Sequence, residues 1–163
     1  MTGSQTLVLG VGNVLLGDEG AGVYVIRRLQ ELPLPSGIVI MDGGTAGLNL
    51  LPYLQGWRRV IVADAILGGG EPGTVYRLTP ADLAVSRPGL SLHQVDLAWL
   101  LRLSDAEVIV YAIDLGGAAP QEFKVGLSPP IACAVEQVVA HIREELGSPP
   151  PANAGVSLPT GGF

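Results

Sequence analysis

The sequence predicts an α/β fold: a three-layer α/β/α sandwich around a mainly parallel, twisted central sheet of about five strands. Two observations carry that expectation. Apolar, β-branched runs recur at residues 6–11, 37–42, 57–64 and 107–113, and glycine or aspartate punctuates the end of each. Between them lie segments whose apolar residues repeat at helical spacing. Strands that alternate with helices pair in parallel and are covered on both faces.

The first run, 6–11, breaks at Gly10 and Gly12 and leads to an acidic pair, Asp18 and Glu19, flanked by glycines. Asp18 suits a helix N-cap, which leaves Glu19 in the first turn. Val23, Ile26 and Leu29 then form one stripe, with Arg27, Arg28, Gln30 and Glu31 opposite, until Pro33 and Pro35 end the helix. The second strand runs into the glycine loop 43–47, and residues 48–54 read as a short helix shortened or kinked by Pro52. Asp64 closes the third strand. Residues 68–73 are a glycine-rich loop, 74–78 a short alternating strand, and Pro80 takes the first position of a brief helical turn.

Ser91 and Gln94 are spaced as a capping box, which sets His93 in the first turn of the next helix. Val95, Trp99, Leu100 and Leu103 supply its buried face. The strand at 107–113 ends at Asp114 and a glycine loop. The last helix runs from residue 129 to about 146, buried along Ile131, Val135, Val138 and Ile142. Residues 1–147 are therefore expected as a single α/β domain. The proline- and glycine-rich stretch 148–163 cannot bury enough apolar area to offset its ordering entropy and is expected to be a disordered tail.

Composition narrows the function classes. The 163 residues are 48% hydrophobic and 15% charged, with a formal net charge of -6. No Lys/Arg run occurs, which disfavours a nucleic-acid or anionic-membrane partner. Mean hydropathy is +0.43, yet no uninterrupted apolar run reaches the ~18 residues of a membrane span. The first residues lack the basic and apolar regions of a signal peptide. One cysteine, Cys133, excludes an intrachain disulfide and a multi-cysteine metal site. The expectation is a soluble, cytoplasmic protein.

In a parallel sheet the carboxyl ends of the strands open on one edge. Glu19, Asp64 and His93 can converge there, with Asp42 a fourth candidate. Two carboxylates and an imidazole suit a divalent transition metal such as zinc, nickel or iron. At a helix N-terminus the dipole biases His93 toward the neutral, ligating form. Each residue also has a plainer reading. Glu19 complements a helix dipole, Asp42 folds an Asx turn, Asp64 caps its loop, and His93 is a satisfied, partly buried histidine. Cys133 and Met41 read as core, and His141 as surface. A dinucleotide site competes, because Gly10 and Gly12 follow a strand and Asp42 ends the next one. Leu15 at the third glycine position and the acidic helix start, which repels phosphate, argue against it.

Together these residues resemble the [NiFe]-hydrogenase maturation endopeptidases. The match comprises GVGNVLLGDEGAG at 10–22, DGGTAG at 42–47, VADA at 62–65, SLHQ at 91–94 and the Leu127–Ser128 entry to the last helix. The resemblance implies a monomeric α/β/α protease of the cytoplasm. It would remove the C-terminal extension of a hydrogenase large-subunit precursor once nickel is inserted. It also implies that Glu19, Asp64 and His93 contact the metal and that the loop from Asp42 to Gly47 takes part in recognition and cleavage. All four, Asp42, Glu19, Asp64 and His93, are thereby candidates for catalysis. No permanent cofactor is implied, only nickel carried by the substrate, with zinc or cadmium able to occupy the site in vitro. A non-catalytic, nickel-sensing chaperone of the precursor is the alternative. Two segments depart from the family pattern: the tail after Gly147 and the loop 114–120.

Overall fold

A strand buried on both faces must be apolar on both, and β1 (Thr6–Val11) meets that demand with no exposed residue. The computed structural model describes residues 6–83, 104–118 and 122–147. Within them, β1, β2 (Ile38–Gly44), β3 (Arg59–Ile66), β4 (Val75–Leu78) and β5 (Glu107–Asp114) form one five-stranded sheet in the order β2-β1-β3-β5-β4. All pairings are parallel except that of β4 with β5. The expected α/β architecture is present.

The two-residue period of the strands sorts the core into two clusters. Val8, Ile61, Ile109, Tyr111 and Ile113 face α1 (Ala21–Gln30) and α3 (Pro129–Glu145). Leu7, Leu9, Val60, Val62, Val108 and Val110 face the other way, against Leu50 and Leu54 of the 3-10 segment Gly47–Leu54. The α3 stripe of Ile131, Val135, Val138 and Ile142 is buried as its spacing predicts. Between β4 and the undescribed stretch lies the single turn α2 (Pro80–Leu83), where Asp82 Oδ2 accepts from the Thr79 N–H and hydroxyl at 2.8 and 3.0 Å.

Four details differ from the sequence reading. The chain after β1 forms a 3-10 turn at Gly17–Gly20 before α1 begins at Ala21, and Asp18 does not cap it. Instead the two Asp18 oxygens accept from the Ser128 N–H and hydroxyl, both at 2.7 Å. That ties the start of α3 to the turn carrying Glu19. Cys133 is exposed, because the helical period puts it off the Ile131 stripe. His141 is partly buried, its ring stacked on Tyr111 with centroids 6.4 Å apart. Met41 is half-buried, since β2 is an edge strand.

Two glycines explain how α1 lies so close to the sheet. A Cβ on Gly22 would collide with the carbonyl oxygens of Ala63 and Val11, and one on Gly10 with the Gly22 carbonyl. The helix therefore rests on β1 and β3 at backbone contact, which only hydrogen side chains permit. These glycines serve helix–sheet packing rather than a phosphate.

Candidate active site

Register decides where the site forms. Pairing of β1 with β3 stops at Gly10 and Ala63, whereas β3 continues against β5 through Asp64, Ala65 and Ile66. Asp64 is thus not the last residue of its strand; it is the first beyond the reach of β1. On the other side of β1, register shifts between Gly10 and Val11, so that Gly43 is the extra residue of β2 and Gly44 stands opposite Val11. Such bulges re-aim chain at the edge of a site. Because β2 and β3 flank β1 on opposite sides, a crevice opens at this switch in strand order, where open α/β sheets bind ligands.

A cavity of about 150 Å³ fills that crevice. Gly12 and Asn13 border it from the chain after β1, Thr45 from the loop after β2, and Leu115 from the chain after β5. Glu19 and Asp64 both line it, each partly buried. Glu19 arrives through the turn held by the Asn13 N–H to Glu19 carbonyl bond of 3.2 Å. Burial in these walls pushes the Asp64 carboxyl up to about 8, and the Glu19 charge adds to the rise. The Ala65 N–H, 2.8 Å from Asp64 Oδ1, opposes it. At neutral pH Asp64 therefore carries a proton, which an entering cation would displace by favouring the ionised form.

Asp42 stands apart from this pair. It is exposed, does not line the cavity, and accepts the Gly44 N–H at 2.9 Å in an Asx turn. Its neighbours Gly44 and Thr45 reach the cavity instead. His93 and the capping box at 91–94 lie outside the described residues. Among the described residues no three His, Cys, Asp or Glu side chains gather as a metal set. Glu19 and Asp64 are two oxygen ligands of the kind a divalent cation accepts.

Asp114 was not singled out in the sequence, although it closes its strand before glycines as Asp42 and Asp64 do. Fully buried, it accepts from the N–H groups of Gly68, Gly70 and Gly116 at 3.0, 3.1 and 2.8 Å. A Cβ at Gly68 or Gly70 would press on this carboxylate. Asp114 thereby binds together the loops after β3 and β5, whose Leu67 and Leu115 wall the cavity.

A family model described as hydrogenase maturation protease matches residues 23–145. The chain belongs to that family. Hydrogenase maturation proteases are endopeptidases, and this one is 38% identical over 150 residues to the hydrogenase 2 maturation protease of Escherichia coli (strain K12), covering 86% of this chain and 92% of that one. It is 34% identical over 151 residues to the hydrogenase expression/formation protein HupD of Rhodobacter capsulatus, with 87% and 71% covered. The solved structure of the hydrogenase maturating endopeptidase HybD from E. coli superposes with a TM-score of 0.67 at 35% identity, over 86% of this chain and 93% of that one. Among the described residues of this protease no helix is long and apolar enough to cross a membrane.

Proposed function

We propose that this protease removes the C-terminal extension of a [NiFe]-hydrogenase large-subunit precursor after nickel insertion, using the precursor's own nickel as the recognition signal. The observation that carries this reading is the pair of carboxylates, Glu19 and Asp64, facing one cavity at the switch point of the sheet, where burial pushes the Asp64 carboxyl up to about 8. Such a pair discriminates a loaded from an empty precursor: a cation takes the place of the proton, while an empty precursor leaves Asp64 neutral. His93 is the third contact in this reading, and the metal it meets is the nickel that the precursor carries. Anchoring the precursor through its metal would hold one peptide bond in the cavity, and positioning of that kind supplies much of a hydrolytic rate. A carboxylate then acts as general base on water, and backbone N–H groups at the glycine loops steady the oxyanion. Asp42 contributes through the loop it shapes rather than by contact with the cleaved bond. The protease works in this reading as a cytoplasmic monomer, and a net charge of -6 favours a chain that does not self-associate.

Incubation with nickel-loaded and nickel-free precursor tests the mechanism. Shortening of the loaded precursor alone is expected; equal cleavage of both, or of neither, would sink it. His93→Ala is expected to abolish cleavage with an unchanged circular dichroism spectrum, and wild-type activity in that variant would assign His93 to structure.

A further inference from the structure

Just before α3 the chain runs extended beside the loop that leaves β1. Leu16 and Lys124 form a parallel bridge. The Gly17 N–H donates to the Lys124 carbonyl at 2.7 Å, and the Lys124 N–H donates to the Leu15 carbonyl at 2.9 Å. Both bonds use the backbone of Lys124, so the N–H and C=O groups of Phe123 and Val125 point to the opposite edge. Among the described residues nothing pairs with them. Phe123 and Val125 are 85% and 78% exposed. Between them Lys124, the single lysine of the chain, is exposed and has no ion pair among the described residues.

An open strand edge with large apolar side chains is a template for another strand. Extended peptides bind such edges through main-chain hydrogen bonds, with side chains alternating between faces for specificity. The paired edge of the same segment is joined to the site: Leu16 lines the cavity and Glu19 follows three residues later. We propose that residues 123–125 are a docking strand for the precursor. A peptide segment flanking the cleaved bond adds to their free edge, apolar side chains against Phe123 and Val125 and an acidic side chain against Lys124. Charge selects that occupant, because a cation with no ion pair among the described residues, on a chain of net charge -6, favours a partner carboxylate. The alternation of faces then sets the pattern of the segment as apolar, acidic, apolar. The inference rests on the precursor being the substrate.

The experiment compares wild type with Lys124→Glu, with the double variant Phe123→Ser/Val125→Ser, and with Val125→Pro, which removes an outward N–H but keeps apolar surface. Cleavage kinetics on nickel-loaded precursor are read beside equilibrium binding to the same precursor, with thermal melting to verify the fold. Each variant is expected to raise KM by about tenfold and weaken binding in proportion, with kcat held within about twofold. Wild-type KM and binding in all three folded variants would overturn the docking strand. Variants that weaken binding to a precursor the wild type holds but does not shorten would support the strand while refuting the cleavage reading.

Discussion

Asp64 links the site to stability through its proton. Its carboxyl titrates near 8 in the folded protein and near 4 when unfolded. Between those values the folded chain holds a proton that the unfolded chain has released, so stability falls as pH rises through the window and levels off above it. Asp64→Asn keeps the oxygen that accepts the Ala65 N–H but carries no titrating proton. It is expected to flatten the pH dependence of Tm between pH 4 and 8 and to melt about 5 °C above wild type at pH 8.5. Cleavage should fall by at least about a hundredfold. A variant whose melting profile parallels wild type would show that Asp64 is not the buried, protonated group. Asp114, also buried, accepts from three N–H donors. Asp114→Ala strands those donors and is expected to cost about 3 kcal/mol in urea unfolding.

Elements were the most legible level of this chain, and the reasons are visible in single residues. Ile131, Val135, Val138 and Ile142 share one face of α3, and a period of that length has no other solution. The strands β1, β3 and β5 are buried on both faces over their middles and read there as apolar runs, at residues 7–9, 60–63 and 108–113. The start of α1 was less legible. Asp18 fits an N-cap by type, but its partner is Ser128, 110 residues away, and no local pattern encodes that distance. The convergence of Glu19 and Asp64 was legible because parallel topology brings strand ends to one edge. The withdrawal of Asp42 into its Asx turn was legible only as one of two readings, since the same carboxylate serves either. Asp114 escaped notice because its partners lie in two separate loops. Gly10 looked like part of a phosphate-binding turn, yet with Gly22 it serves element packing. Gly22→Ala is expected to destabilise the protein by about 3 kcal/mol, because the two carbonyls it would strike are backbone and cannot turn aside. A cost under about 1 kcal/mol would show that α1 can lift from the sheet.

At the scale of the whole molecule, α3 is the last of the described elements along the chain, and it is fastened at its end. Arg77 Nε meets Glu145 Oε1 at 2.7 Å, and Arg59 Nη1 donates to the Glu145 carbonyl at 3.1 Å, occupying an acceptor that the helix terminus leaves free. Leu146 still packs on the core cluster, and the Gly147 N–H returns to the Glu144 carbonyl at 3.0 Å. Beyond that point the composition shifts to prolines, glycines and small residues, with Val156, Leu158 and Phe163 the only large apolar side chains. Residues 148–163 lie outside the described residues; the expectation from sequence is that so few apolar groups do not offset an ordering entropy of ~1.5 kcal/mol per residue. A chain ending at Gly147 is therefore expected to melt within about 2 °C of the full-length protein and to cleave precursor at the same rate. A larger drop in Tm would mean that residues 148–163 pack on the domain. A loss of cleavage at unchanged Tm would place them in precursor recognition, beside the docking edge at 123–125.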